Sequence, residues 1–194
     1  MPVGACMVAE AAERAGHKVR VLDLMFEQNP LNTLESELTK SNPDFIGLSI
    51  RNIDNNDMQH PESFFKDLKP LMDTIRSKTP APVVLGGAAV SVMPEELLRY
   101  TGANWVVLGD GEVVFPKLLS ALSQGEIPGR LPGIAWFEDN IFKKNAGYVD
   151  RFSDGCLIPN FHRWLNVHAY LSRLSTVPIQ TKLGCHFKCI YCTY

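Results

Sequence analysis

Pro82-Val83-Val84-Leu85-Gly86-Gly87 is the stretch whose reading decides the fold. A short run of large, mostly β-branched residues reads as a strand covered on both faces. The two glycines straight after it let the backbone turn sharply and let another group come close. Pro94-Glu95-Glu96 follows, a proline suited to a first helical position with two carboxylates near the positive end of the helix dipole. Strand, glycine turn and helix make one β-α unit.

The same unit recurs on either side. Downstream, Trp105-Val106-Val107-Leu108 is a strand, and Gly109-Asp110-Gly111-Glu112 leads into a helix carrying Phe115, Leu118, Leu119 and Leu122. Upstream, Phe45-Ile46-Gly47-Leu48-Ser49-Ile50 reads as a strand buried on both faces. Phe64, Phe65, Leu68, Leu71, Met72 and Ile75 then recur at helical spacing, and Pro70 within them predicts a kink or a split, costing roughly 3 kcal/mol in a regular helix. Nearer the start, Gly4 to Ala15 is a small-residue helix closed by Gly16, and Val19-Arg20-Val21-Leu22 is a short strand ending at Asp23. Asn32 or Thr33 caps a helix with Leu34 and Leu38 on one face.

This rhythm predicts an α/β fold, a flavodoxin- or Rossmann-like parallel sheet with helices on both faces and ligands at the carboxyl ends of its strands. The α/β domain is expected over residues 1–126, a hairpin and linker over 127–177, and a strand with a cysteine loop over 178–194. Ile134–Phe137 and Ile141–Lys143, around Asp139-Asn140, form the hairpin. The linker holds one short helix near Trp164, and Pro178–Lys182 is the last strand. A flavodoxin-like sheet carries its first strand in the middle. Here Met1-Pro2-Val3-Gly4 reads as the loop after such a strand, so the expectation is either residues upstream or direct pairing of Val19–Leu22 with Phe45–Ile50. The chain reads as cut at both ends.

Bulk properties narrow the classes. A net charge of −2 over 194 residues gives no field that would recruit nucleic acid or an anionic membrane. No run approaches the roughly 18 apolar residues of a membrane span. Five cysteines, an odd number crowded toward one end and without a secretory leader, point to a reducing cytoplasm and ligand chemistry rather than disulfides.

Three of those cysteines stand in Cys185-His186-Phe187-Lys188-Cys189-Ile190-Tyr191-Cys192. Their spacing lets one loop wrap one metal centre with three soft ligands, where a closed zinc site or a fully ligated cubane needs four. Three readings stay open on spacing alone: a [4Fe–4S] cluster with one iron left free, a zinc site completed by His186 or His168, or unrelated thiols. The loop, with an aromatic residue just before its third cysteine, resembles the cluster loop of radical S-adenosylmethionine (SAM) enzymes.

Taken with the rest of the chain, the likeness is to the cobalamin-binding subclass of that family. It runs through Pro2-x-Gly4 and its Ala-rich helix, Gly16-His17-x-Val19 to Asp23, Ile46-Gly47-Leu48-Ser49, and Val83–Gly87 with Pro94-Glu95-Glu96-Leu97. It continues through Val106–Glu112 and Leu131-Pro132-Gly133-Ile134-Ala135 into the cysteine loop, where a radical SAM barrel would start. The Asp-x-His-x-x-Gly segment that gives other cobalamin proteins an axial histidine is absent, and none of His17, His60, His162, His168 or His186 has that context.

The resemblance implies a [4Fe–4S] cluster on Cys185, Cys189 and Cys192, with SAM on the free iron and Tyr191 against its adenine. It implies a cobalamin across the strand ends. The contacts expected there are Ser49, Arg51 and Asn52, then Gly86, Gly87 and Ala88, then Gly109 and Gly111, with Glu112 either a contact or a helix-stabilising carboxylate. The polar run Arg51 to Asp57 reads equally as a ligand loop and as a solvated loop of Asx turns. The activity implied is methyl transfer to a small, natural-product-like substrate, with an electron donor for the cluster. Two alternatives stand beside it: a corrinoid- or nucleotide-binding module with structural zinc, and a radical SAM protein whose sheet domain is only a scaffold.

Overall fold

The computed structural model describes residues 1–147, 158–173, 176–179, 187, 189 and 190. The expected strand at Pro178–Lys182 and the cysteine loop lie largely outside these residues, Cys185, Tyr191 and Cys192 among them.

Helix α1 (Val3–Arg14) ends as its glycine predicts. Gly16 takes φ 93°, its N–H donates to the Glu13 carbonyl at 2.9 Å, and the His17 N–H reaches back to Ala12 at 3.1 Å. That pair of bonds is a Schellman closure, which satisfies carbonyls the helix end would leave bare. Helix α2 (Pro30–Ser41) starts earlier than Asn32 or Thr33, because Asn29-Pro30 places a proline at its first position and Leu34 and Leu38 still land on the buried face. Helix α3 (Phe65–Lys78) runs unsplit through Pro70. Pro70 sits early in the helix and removes a single intrahelical donor, while Met72 and Ile75 behind it are fully buried.

Strand β1 (Ile46–Ser49) pairs in parallel with β2 (Val83–Gly86), and β2 pairs in parallel with β3 (Trp105–Val107). The short helix α4 (Ala88–Val92) and α5 (Pro94–Thr101) connect β2 to β3, and α6 (Gly111–Ser123) follows β3. The hairpin forms as expected, β4 (Ile134–Glu138) and β5 (Ile141–Lys144), with Asp139 and Asn140 both at positive φ. Strand β4 joins β3 antiparallel, giving a five-stranded sheet in the order β1-β2-β3-β4-β5.

Alternate strand residues sort the core onto two faces. Val83, Leu85, Val106 and Ala135 meet α2, α3 and α5, whereas Val84, Val107 and Ile134 meet α6. Helix α1 packs beside α6 on that second face, where a Cβ on Gly111 would stand 3.0 Å from the Val8 side chain. The linker contributes two short helices rather than one, α7 (Phe161–Trp164) and α8 (Val167–Leu171). Trp164 docks on α1, its Nε1 donating to Glu10 at 3.0 Å, and the Tyr170 hydroxyl donates to Asp23, in the segment after α1, at 2.7 Å.

Two expectations are corrected at the sheet's edge. Val19–Leu22 is hydrogen-bonded to no strand among the described residues, so the direct pairing with β1 does not occur. Among the described residues strand β1 is an edge strand, and its cover is uneven rather than complete on both faces: Ile46 and Leu48 pack into the core, whereas Gly47 and Ser49 are exposed.

Candidate functional site at the strand ends

Because β1, β2 and β3 run parallel, Ser49, Gly86 and Val107 finish on one edge of the sheet and deliver three loops there. The first loop folds back on itself. Asp54 bridges to Ser63, the Phe64 N–H bonds the Ile53 carbonyl at 2.9 Å, and the Asn55 N–H bonds that of Glu62 at 3.1 Å. The side chains of Asp54, Asn55 and Asp57 accept backbone N–H groups at Asn56, Asp57 and Gln59. Asp54, Asn55 and Asp57 thus each spend a side-chain oxygen on an Asx-type turn of this loop. Arg51 and Asn52 stand before that knot, both exposed at the strand end.

The glycines divide by what surrounds them. Gly86 and Gly109 would place a Cβ in open space, with nothing within 4 Å, and Gly109 takes φ 75°. A side chain at either would project into open space at the strand ends. Gly87 and Gly111 leave no such room: a Cβ on Gly87 would lie 2.5 Å from the Ile50 carbonyl oxygen, and one on Gly111 would lie 3.0 Å from the Val8 side chain. Ala88 is exposed at the start of α4. Two residues the sequence reading passed over hold the loops in register. Ile50 donates to Gly86 at 2.8 Å and accepts from Ala89 at 3.1 Å. Gly133 accepts from Leu108 at 2.8 Å, which gives the Leu131-Pro132-Gly133 stretch a bracing role no local pattern revealed.

Glu112 lies in the first turn of α6. Burial, then the neighbouring Asp110 charge, push its carboxyl above the ordinary value, against the opposing pull of a backbone N–H. Helix stabilisation alone is thus an incomplete account of this residue. A raised carboxyl pKa means the folded state holds the proton more tightly, so the group's contribution falls as pH rises from the unfolded value through the folded one. Glu112→Gln is expected to stabilise the fold at pH 7, with the gain vanishing below about pH 4, where both states are protonated. Urea midpoints measured across that range check it; a variant less stable than the parent at pH 7 would contradict the argument.

The histidines among the described residues stand in ordinary settings. His17 Nε2 is 3.3 Å from the Ser120 hydroxyl, His60 lies beside Asp57, and the His162 and His168 rings neighbour each other 6.0 Å apart. No group of three or more potential metal ligands occurs among the described residues. Of the three loop cysteines only Cys189 is among them, free and exposed. No helix among the described residues is long and apolar enough to cross a membrane.

Comparison with known proteins fits this architecture. The tryptophan 2-C-methyltransferase of Streptomyces laurentii is 30% identical over 161 residues, 81% of this chain and 26% of its own length. The chain thus spans about a quarter of that relative. The structure of the radical SAM methyltransferase TsrM from Kitasatospora setae, with cobalamin and a [4Fe–4S] cluster bound, superposes with a TM-score of 0.71 at 28% identity, covering 81% of this chain and 28% of TsrM. The cobalamin-dependent SAM radical enzyme OxsB shares the fold, with a TM-score of 0.65 at 18% identity over 82% of this chain and 21% of its own. Residues 1–119, more than half of the chain, match the family model described as B12 binding domain, and the chain belongs to that family.

Proposed function

We propose that this chain is the corrin-holding part of a cobalamin-dependent radical SAM methyltransferase. The observation that carries the reading is the pairing of open glycines at adjacent strand ends, Gly86 and Gly109, inside the stretch that matches the B12 binding domain. A flat macrocycle needs such a ledge without side chains. Ser49, Arg51, Asn52 and Ala88 would line it, with the Arg51 guanidinium and Asn52 amide free to hydrogen-bond polar arms of the ligand. Gly87 and Gly111 would set the backbone beneath, and Glu112 would face it from α6. The exposed Cys189 fits a thiolate ligand, to be joined by Cys185 and Cys192 around a [4Fe–4S] cluster, with Tyr191 against SAM.

When bound, the cluster and SAM supply hydrogen abstraction and the corrin supplies the methyl group. The chain's own part is to hold the corrin face open toward the cysteine loop. The helices α7 and α8 are held on the α/β domain by their ties to Glu10 and Asp23. The substrate class is small and natural-product-like, and an external donor reduces the cluster.

The test is to mix the full encoded polypeptide with hydroxocobalamin, remove free ligand by gel filtration and record the visible spectrum. Corrin should co-elute in a form without a nitrogen ligand from the protein. Gly109→Val should reduce retention at least tenfold. Failure of the parent to retain corrin would leave the scaffold alternative standing.

A further inference from the structure

We infer that residues 160–173 form a latched strap, a conformational device that lifts off α1 as a unit while the sheet and its two cores stay folded. The strap cannot hold itself. Its helices α7 and α8 have four and five residues, far below the roughly 12 at which an isolated helix is even marginal, so its order comes from the surface beneath it. That surface is its own. Trp164, Leu165 and Tyr170 bury against Cys6 and Ala9 of α1 and against Val19, Val21 and Phe26, and no residue of the strap belongs to either sheet-facing core. Lifting it unpacks one small apolar cluster and neither of the large ones.

The polar ties suit the same motion. Three of them share one polarity, with the donor on the strap and a carboxylate of the body as acceptor: Trp164 Nε1 to Glu10, the Arg163 guanidinium to Glu13 and the Tyr170 hydroxyl to Asp23. Each acceptor stays satisfied when the strap leaves. Glu10 also takes the Arg14 guanidinium at 3.4 Å, Asp23 also takes the Met25 N–H at 3.1 Å, and Glu13 is open enough to be hydrated. No buried carboxylate is orphaned, so the largest cost of breaking a hydrogen bond does not arise. Aromatic contacts complete the hold: Tyr170 meets Phe26 edge-on at 4.6 Å, and the Arg173 guanidinium lies 4.5 Å over the same Phe26 ring.

The latch closes at the strand ends. Val8 faces Gly111 at the start of α6, and His17, just past α1, meets Ser120 near the end of α6. The two helices thus run side by side in one direction, and both begin at the edge where β3 delivers α6. Asp23 lies near the beginning of α1, close enough for its charge to act on the Cys6 thiol, so the Tyr170–Asp23 bond sits toward that edge. A docked strap steadies residues 23–26 there, and a lifted strap releases them beside the corrin ledge. That last step rests on the proposed function; the latch itself does not.

Thiol labelling of the folded, full encoded polypeptide, free of cofactor, tests the strap. Cys6 is fully covered and Cys189 is exposed, so peptide mapping after N-ethylmaleimide reads strap opening at the first against an internal reference at the second. Tyr170→Phe keeps the ring and its contact with Phe26 and deletes only the latch bond. Labelling of Cys6 should then quicken about tenfold or more, while amide exchange at Leu85 in β2 keeps the parental rate. Unchanged Cys6 labelling in Tyr170→Phe would overturn the inference. So would equal acceleration at Cys6 and Leu85, because the strap would then open only when the whole domain unfolds. Corrin retention is a separate readout, so its failure would remove the proposed function and leave these outcomes untouched.

Discussion

Gly87→Ala is expected to destabilise the domain by about 3 kcal/mol, lowering the thermal midpoint by roughly 6–12 °C. Two effects add. At φ 98° any side chain is strained, and the new Cβ would stand 2.5 Å from the Ile50 carbonyl oxygen and 2.9 Å from the Ile50 carbonyl carbon. Those atoms are backbone and cannot swing aside. Moving them stretches the bonds Ile50 makes to Gly86 and Ala89, which join the end of β1 to the turn after β2. The loop that starts at Arg51 would shift with them, so corrin retention should fall together with stability. Gly86→Ala is the matched control: its Cβ meets nothing within 4 Å, and the change in unfolding free energy should stay within about 0.5 kcal/mol. Urea unfolding of both variants decides the matter. Equal midpoints would show that the two glycines are not the distinct parts the geometry makes them.

That contrast marks what the sequence disclosed. Two adjacent glycines look identical in a string, and both were expected to face the ligand. One of them faces Ile50, a contact set by how β1 ends beside β2, and no local pattern encodes it. The elements themselves were legible because burial writes a period into them: Val83–Leu85 and Trp105–Val107 as apolar runs, Leu34 and Leu38 as a helical stripe, Asp139-Asn140 as a turn needing positive φ. The placement of the hairpin was not legible. Whether β4 stands alone or extends the sheet depends on the Trp105–Trp136 contact and the Val106–Ala135 pairing, which are long-range. Val19–Leu22 reads as a short strand, yet among the described residues it pairs with no strand, and a partner is the one property of a strand that its own residues do not carry.

Cys189→Ala in the full encoded polypeptide is expected to reduce reconstituted iron more than about 100-fold and to abolish turnover, while corrin retention stays at the parental level. Three thiolates are the smallest set that holds a cubane while leaving one iron free, and two cannot keep it against loss to water. Cys189 is the informative choice because it is free and exposed, so its removal opens no cavity and any loss is a loss of ligand rather than of fold. The buried Cys6 supplies the counter-example. Burial, then the nearby Asp23 charge, raise its thiol to about 11, which leaves it protonated and unsuited to metal at neutral pH. Cys6→Ala should therefore leave iron content unchanged at some cost in stability. Metal analysis of the two variants separates the readings that spacing left open. Iron lost only with Cys189 supports the cluster; zinc in the parent, lost with Cys189, would turn the site into a structural one and take the radical chemistry with it.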